Sequence, residues 1–198
     1  MAAHVDAGRV LLDSEALNRT IARIAHEIVE GNTDLSSVAL IGIQTRGVPL
    51  AQRLRRLIAD FGGVEVELGS VDITFHRDDV VVRGGERPLH AQPVVKATKL
   101  DFPLEGITCV LVDDVLYTGR TIRAAIETLF EYGRPARVQL ACLVDRGHRE
   151  LPIRADHVGK NVPTSREELV RVHVEEIDGE DGVEIERIVA EPAHERVG

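Results

Sequence analysis

Residues Cys109-Val110-Leu111-Val112 form an apolar run that stops at Asp113-Asp114, crosses Val115-Leu116-Tyr117 into Thr118-Gly119-Arg120-Thr121, and passes into a helical pattern marked by Ile122, Ala125, Ile126 and Leu129. An apolar strand, a short loop and an amphipathic helix in that order make the βα unit of a sheet buried on both faces. The loop between them also has chemistry. Gly119 lets the backbone approach an anion, and the hydroxyls of Thr118 and Thr121 join the first free N–H groups of the helix as donors, so a phosphate monoester fits there. Asp113 and Asp114 stand just before it, where carboxylates can accept hydrogen bonds from ribose hydroxyls or hold magnesium, directly or through water.

The rest of the chain repeats the alternation. Leu17, Ile21, Ile24, Ala25 and Ile28 recur at helical spacing, predicting a first helix from about Ser14 to Glu30. Val38 to Ile43 reads as a buried strand, and Gln44-Thr45-Arg46-Gly47 turns into a second helix carrying Leu50, Leu54, Leu57 and Ile58. Val64 to Phe75 reads as the next strand. From His76 to about Val95 no period is sustained, and charges, Gly84-Gly85 and two prolines suit a mobile lid loop. Arg137 to Val144 is a further buried strand. Leu169 to Val174 and Val183 to Ile188 can pair as a terminal hairpin around Asp178-Gly179, with residues from Glu191 onward frayed. The expected fold is a doubly wound α/β domain with a mostly parallel sheet, a single unit over residues 1–198 with its core at about 11–188. Ligands of such sheets bind at the carboxyl ends of the strands, where Thr45-Arg46-Gly47 and the Thr118-Thr121 loop both fall.

Bulk properties set the boundaries. With 198 residues, 43% of them hydrophobic, the chain can bury one sizeable core. Cys109 and Cys142 lie in apolar runs without metal-site spacing and read as buried thiols in a reducing cytoplasm. No apolar stretch approaches the roughly 18 residues that span a bilayer, so no membrane role is expected. A formal charge of −9 disfavours general nucleic-acid affinity and confines any such contact to a local basic face. One local surplus of cations could serve, although taken alone it reads as a solvated rim. Between Asp145 and Arg166, Arg146, Arg149, Arg154, Lys160 and Arg166 outnumber Asp145, Glu150 and Asp156, with His148 and His157 as further donors.

Val112-Asp113-Asp114-Val115-Leu116-Tyr117-Thr118-Gly119-Arg120-Thr121 resembles the phosphoribosyl-pyrophosphate (PRPP) motif of type I phosphoribosyltransferases. The likeness extends to Arg23-Ile24-Ala25-His26-Glu27, Gly42-Ile43-Gln44-Thr45-Arg46-Gly47, and Asp72-Ile73-Thr74 with Arg77-Asp78-Asp79. Above all it covers Leu143 to Asp156, continuing through Val158-Gly159-Lys160-Asn161-Val162-Pro163-Thr164-Ser165. These segments are similar to the PyrR family, whose members are both pyrimidine operon attenuation regulators and uracil phosphoribosyltransferases. The similarity spans roughly Leu11 to Ile188, and one departure stands out: His76 occupies the place of a usual tyrosine before Arg-Asp-Asp.

The resemblance implies that uracil and PRPP give UMP and pyrophosphate, with Mg²⁺ among the sugar and pyrophosphate oxygens. It assigns Asp113 and Asp114 to the ribose and metal, Val115, Leu116, Tyr117, Thr118, Gly119, Arg120 and Thr121 to the 5′-phosphate, and Thr45 and Arg46 to the pyrophosphate. Arg77 or Arg87 would reach the pyrophosphate from the closing lid. Asp145, Arg146 and a His157-Val158 turn would hold the base. His26, Arg149, Arg154 and Lys160 would meet a leader RNA hairpin of the pyrimidine operon, in a homo-oligomer, dimer or higher. Aromatic residues make up only 3% of the chain, which points to a structured hairpin held by cations and backbone rather than a strand stacked on rings. Two other readings share most residues: a salvage enzyme for uracil or a purine base without an RNA role, and a nucleotide sensor without turnover.

Overall fold

The computed structural model describes residues 3–73 and 97–190. The lid expected at 76–95, with His76, Arg77 and Arg87, and the tail from residue 191 lie outside the described residues.

Among the described residues, eight strands and four α-helices follow one another as β1 (Ala3–Leu12), α1 (Ser14–Gly31), β2 (Val38–Ile43), α2 (Gly47–Gly62), β3 (Glu67–Val71), β4 (Thr108–Leu116), α3 (Arg120–Tyr132), β5 (Arg137–Asp145), β6 (His157–Asn161), β7 (Glu168–His173), α4 (Glu175–Asp178) and β8 (Gly182–Ala190). A five-stranded sheet has the order β3-β2-β4-β5-β6, with all four pairings parallel. Its strands alternate their side chains between two cores. Leu40, Val110 and Val112 pack with Leu17, Ile21, Ile28, Leu54 and Ile58 of α1 and α2, while Ile41, Ile43 and Leu111 pack with Ile122, Ala125 and Leu129 of α3. Helices therefore cover both faces, which is why these strands read as unbroken apolar runs. Asp13 starts α1 by accepting a hydrogen bond from the Ala16 N–H at 2.8 Å, and Gly63 ends α2 in the left-handed region.

The terminal hairpin forms as expected, Val170 opposite Ile185, but its connection is the helical turn α4 rather than a tight turn. Its third strand was not anticipated: β1 pairs antiparallel with β8, making a small sheet β1-β8-β7 that packs Leu12, Val172, Val183 and Ile185 onto the α1–α2 core. The segment after the last expected parallel strand also differs. His157-Val158 opens strand β6, pairing with Ala141 and Cys142, and is not a turn. Among the described residues, no helix is long and apolar enough to cross a membrane.

Candidate active site

Leaving β2, the chain reaches β3 on one side of the sheet and β4 on the other, so the winding reverses between β2 and β4. A crevice opens at the carboxyl ends of strands where this happens. The two segments singled out in the sequence meet there. Register Gly42 opposite Val112 brings Thr45-Arg46 beside Asp113-Asp114. Gly47 sets how close they come, because a Cβ on it would lie 2.2 Å from the Val112 carbonyl oxygen. Only glycine lets the start of α2 press against β4 at that point. The Gln44–Thr45 peptide in this turn is cis.

Strand β4 runs four residues beyond the expected Val112 and carries the acid pair within it. Asp113 is buried and Asp114 half-buried. Each carboxylate turns back on the chain: Asp113 accepts from the Asp114 N–H at 3.0 Å and Asp114 from the Val115 N–H at 2.8 Å. Gly119 then adopts φ +92°, turning the loop into the N-terminus of α3, where Thr118 Oγ1 lies 3.3 Å from the Arg120 N–H. The first N–H groups of α3 and the Thr118 and Thr121 hydroxyls belong to that helix start, donors of the kind a phosphate needs.

A second loop braces the first. The Thr118 carbonyl accepts from the N–H groups of Glu150 and Leu151 at 3.0 and 3.1 Å, and Arg120 pairs with Glu150 at 2.8 Å. Arg149 turns inward. Its guanidinium donates to the carbonyls of Tyr117 at 2.6 Å, Ile153 at 2.9 Å and Gly147 at 3.3 Å, and pairs with Asp145. Arg146 is buried, stacked 4.2 Å from the Tyr117 ring centre, and donates to Thr164 Oγ1 and to the carbonyls of Ser165 and Glu168. It therefore ties Tyr117, just before the Thr118–Thr121 loop, to the segment that opens β7. Asp145 accepts from the Gly147 N–H at 2.9 Å besides pairing with Arg149.

The side chains of Arg146 and Arg149 both spend donors on the surrounding loops. His157 and Val158 lie at the amino end of β6, opposite Ala141 and Cys142, whereas the carboxyl edge is at Asp145 opposite Asn161. At about 3.3 Å per residue the four-residue offset is roughly 13 Å. His157 is 6% exposed under α1, with its Nδ1 3.9 Å from Glu27 and its Nε2 without a hydrogen-bond partner among the described residues, and burial pushes its pKa below the ordinary 6.5. Its burial and its place in the register set it apart from Asp145 and Arg146. Of the proposed RNA contacts, Arg154 is exposed, Lys160 is half-buried with Nζ 3.5 Å from the Leu11 carbonyl, and His26 is exposed and stacked on Phe61, ring centres 3.8 Å apart. Both cysteines are buried free thiols, and burial raises the Cys109 pKa to about 11.

Arg46 has a partner that sequence reasoning missed. Asp178 of α4 accepts from its Nη2 at 2.7 Å and Nε at 3.1 Å, and that guanidinium holds the Asp178 carboxyl below the usual carboxylate range. Next to it, Arg53 of α2 binds both Glu176 and Asp181 through four hydrogen bonds of 2.6–2.8 Å. The only sequence signal was a run of acids around Asp178-Gly179, which a turn explains equally well.

Magnesium fits the oxygen donors. Asp113 and Asp114 are hard carboxylate ligands, but no group of three or more acidic, histidine or cysteine side chains forms a cage among the described residues. A metal that keeps several waters and shares its ligands with substrate oxygens suits so sparse a set.

An acid pair and a helix-start phosphate loop on one strand, with an arginine turn on its neighbour at the winding reversal, define a phosphoribosyltransferase. The chain matches the phosphoribosyl transferase domain family over residues 9–176. It is 57% identical over 175 residues to the Bifunctional protein PyrR of Thermus thermophilus, covering 88% of this chain and 93% of that protein. It is 55% identical over 181 residues to that of Roseiflexus sp., covering 91% and 96%. The chain belongs to the PyrR family of phosphoribosyltransferases. In fold it is similar to the hypoxanthine phosphoribosyltransferase of Trypanosoma cruzi, with TM-score 0.66 at 19% identity over 92% of this chain and 98% of that one. A Staphylococcus aureus hypoxanthine phosphoribosyltransferase gives 0.64 at 18% identity over 92% and 93%.

Proposed function

We propose that this chain transfers ribose 5-phosphate from PRPP to uracil, releasing pyrophosphate, and that with UMP bound it grips the leader RNA hairpin of the pyrimidine operon and promotes termination. The observation that carries the reading is the junction of Asp113-Asp114, the braced Thr118–Thr121 loop and Arg46 at the carboxyl ends of β2 and β4. Displacement at the anomeric carbon through an oxocarbenium-like transition state needs no protein nucleophile. It needs the ribose held, the leaving group neutralised and water excluded. Asp113 and Asp114 accept hydrogen bonds from the ribose hydroxyls and oppose the positive charge that develops on the ring. The residue 115–121 segment fixes the 5′-phosphate, and Thr45 and Arg46 meet the pyrophosphate. Mg²⁺, held by Asp113 and Asp114 directly or through water, supplies neutralising charge to the pyrophosphate when bound.

Backbone groups of Asp145 and Arg146, at the carboxyl edge of β5, read the uracil edge, since both side chains are already engaged. Arg154, Lys160 and His26 remain as RNA contacts, and Arg149 serves them indirectly by tying the 147–153 loop to the phosphate loop. The chain works in the cytoplasm as a dimer or higher homo-oligomer.

The test is product formation from PRPP and Mg²⁺ with uracil, hypoxanthine or guanine as the base. UMP and pyrophosphate from uracil alone support the assignment. Turnover of a purine instead would make the chain a purine salvage enzyme.

A further inference from the structure

The Arg46–Asp178 contact occupies the place proposed for pyrophosphate, and the role inferred for Asp178 rests on that proposal. Arg46 stands at the start of α2, and its guanidinium presents Nε and Nη2 to two carboxylate oxygens of one residue at 3.1 and 2.7 Å. A planar fork on two oxygens of one anion is also how a guanidinium binds a phosphoryl group. Arg46 feels the charge of Asp114 as well, so it lies electrostatically between the acid pair and Asp178. Asp178 is held in turn by the Val174 N–H, which donates to its Oδ2 at 2.9 Å.

A second set of ion pairs also docks this region on α2. Arg53, with its side chain only 13% exposed, grips Glu176 and Asp181 and carries the tether, whereas the Arg46 side chain is 36% exposed and open to exchange. We infer that Asp178 is a positioning residue that keeps Arg46 oriented in the free enzyme, yields it to the pyrophosphate group of PRPP, and takes it back as pyrophosphate departs. Asp178 thus competes with the substrate's own anion: it weakens PRPP and pyrophosphate binding and speeds product release.

The test is isothermal titration of Mg²⁺-pyrophosphate and Mg²⁺-PRPP into the full chain and its Asp178→Asn and Arg46→Ala variants, with steady-state rates and thermal unfolding alongside. Asp178→Asn is expected to bind both ligands about three- to tenfold more tightly, with KM for PRPP and kcat falling together and Tm close to the parent because Arg53 still holds α4. A merely structural pair would give the opposite sign, weaker binding and a lower Tm. Unchanged or weaker binding by Asp178→Asn, with Arg46→Ala impaired, overturns the role of Asp178. If Arg46→Ala binds PRPP and pyrophosphate as well as the parent, the assignment of Arg46 itself fails, and this inference fails with it.

Discussion

Arg149 shows how a side chain's neighbours decide its role. A cation in a locally basic segment is expected to meet RNA, yet this one donates to three carbonyls within 3.3 Å and pairs with Asp145. Arg149→Ala is therefore expected to raise the KM for PRPP at least tenfold, about 1.4 kcal/mol, because the Tyr117 to Gly119 loop loses its brace. An RNA contact alone would leave that KM unchanged. Asp114→Asn is expected to lower kcat about 10²-fold or more by removing charge that faces the transition state. Its binding of UMP, checked by titration, should fall far less. His157 yields a pH prediction. Its pKa is lowered by burial, so the unfolded chain binds the proton more readily, and stability is full above about pH 6.5 and falls as pH drops below it toward the folded-state pKa. Thermal unfolding of His157→Gln between pH 7 and pH 5 should show a flatter decline than the parent. A parallel decline would mean that His157 is not titrating with unfolding. The strand that carries the acid pair, the Gly119 turn and the helix after it were legible in the sequence because their pattern is local. The destinations of Arg46, Arg146 and Arg149 were not, because a long flexible side chain takes partners that only the fold brings near, Asp178 lying 132 positions from Arg46.

Elements place the chemistry through backbone contacts that tolerate no extra atom. Gly47 at the head of α2 sits on the Val112 carbonyl, where a Cβ would come within 2.2 Å. Gly47→Ala is expected to cost about 1–3 kcal/mol of stability and to raise the KM for PRPP, since α2 must move off β4 and carry Arg46 with it. Urea unfolding and PRPP kinetics on the same sample check both effects, and an unchanged midpoint would refute the close approach. The helices α1 and α3 were plain in the sequence because their apolar residues recur at 3.6-residue spacing, and Gly119 and Gly133 bound α3. Strand β6 escaped because His157-Val158-Gly159-Lys160-Asn161 mixes polar residues with glycine, as suits a strand whose one strand neighbour among the described residues is β5. Strand β1 escaped because it pairs with β8, nearly the whole chain away, leaving no local pattern to recognise.

At the scale of the whole molecule, the proposed nucleotide site and the proposed RNA face share one piece of chain. The loop carrying Glu150, Leu151 and Ile153 braces the phosphate loop and continues directly into exposed Arg154. A nucleotide contact at the first loop and an RNA contact at the second would share this brace, and any coupling between them is reciprocal: the factor by which UMP raises RNA affinity equals the factor by which RNA raises UMP affinity. With a net charge of −9, RNA contact depends on this local basic face, so binding should weaken steeply with salt. The most direct measurement is a pair of titrations at one fixed salt concentration: leader hairpin RNA into the full chain with and without saturating UMP, and UMP with and without saturating RNA. The predicted result is tighter binding in both, by one common factor of about 5 to 150. RNA affinity that UMP does not change, or no RNA binding at all while uracil and PRPP still give UMP, would contradict the regulatory account and leave a salvage enzyme.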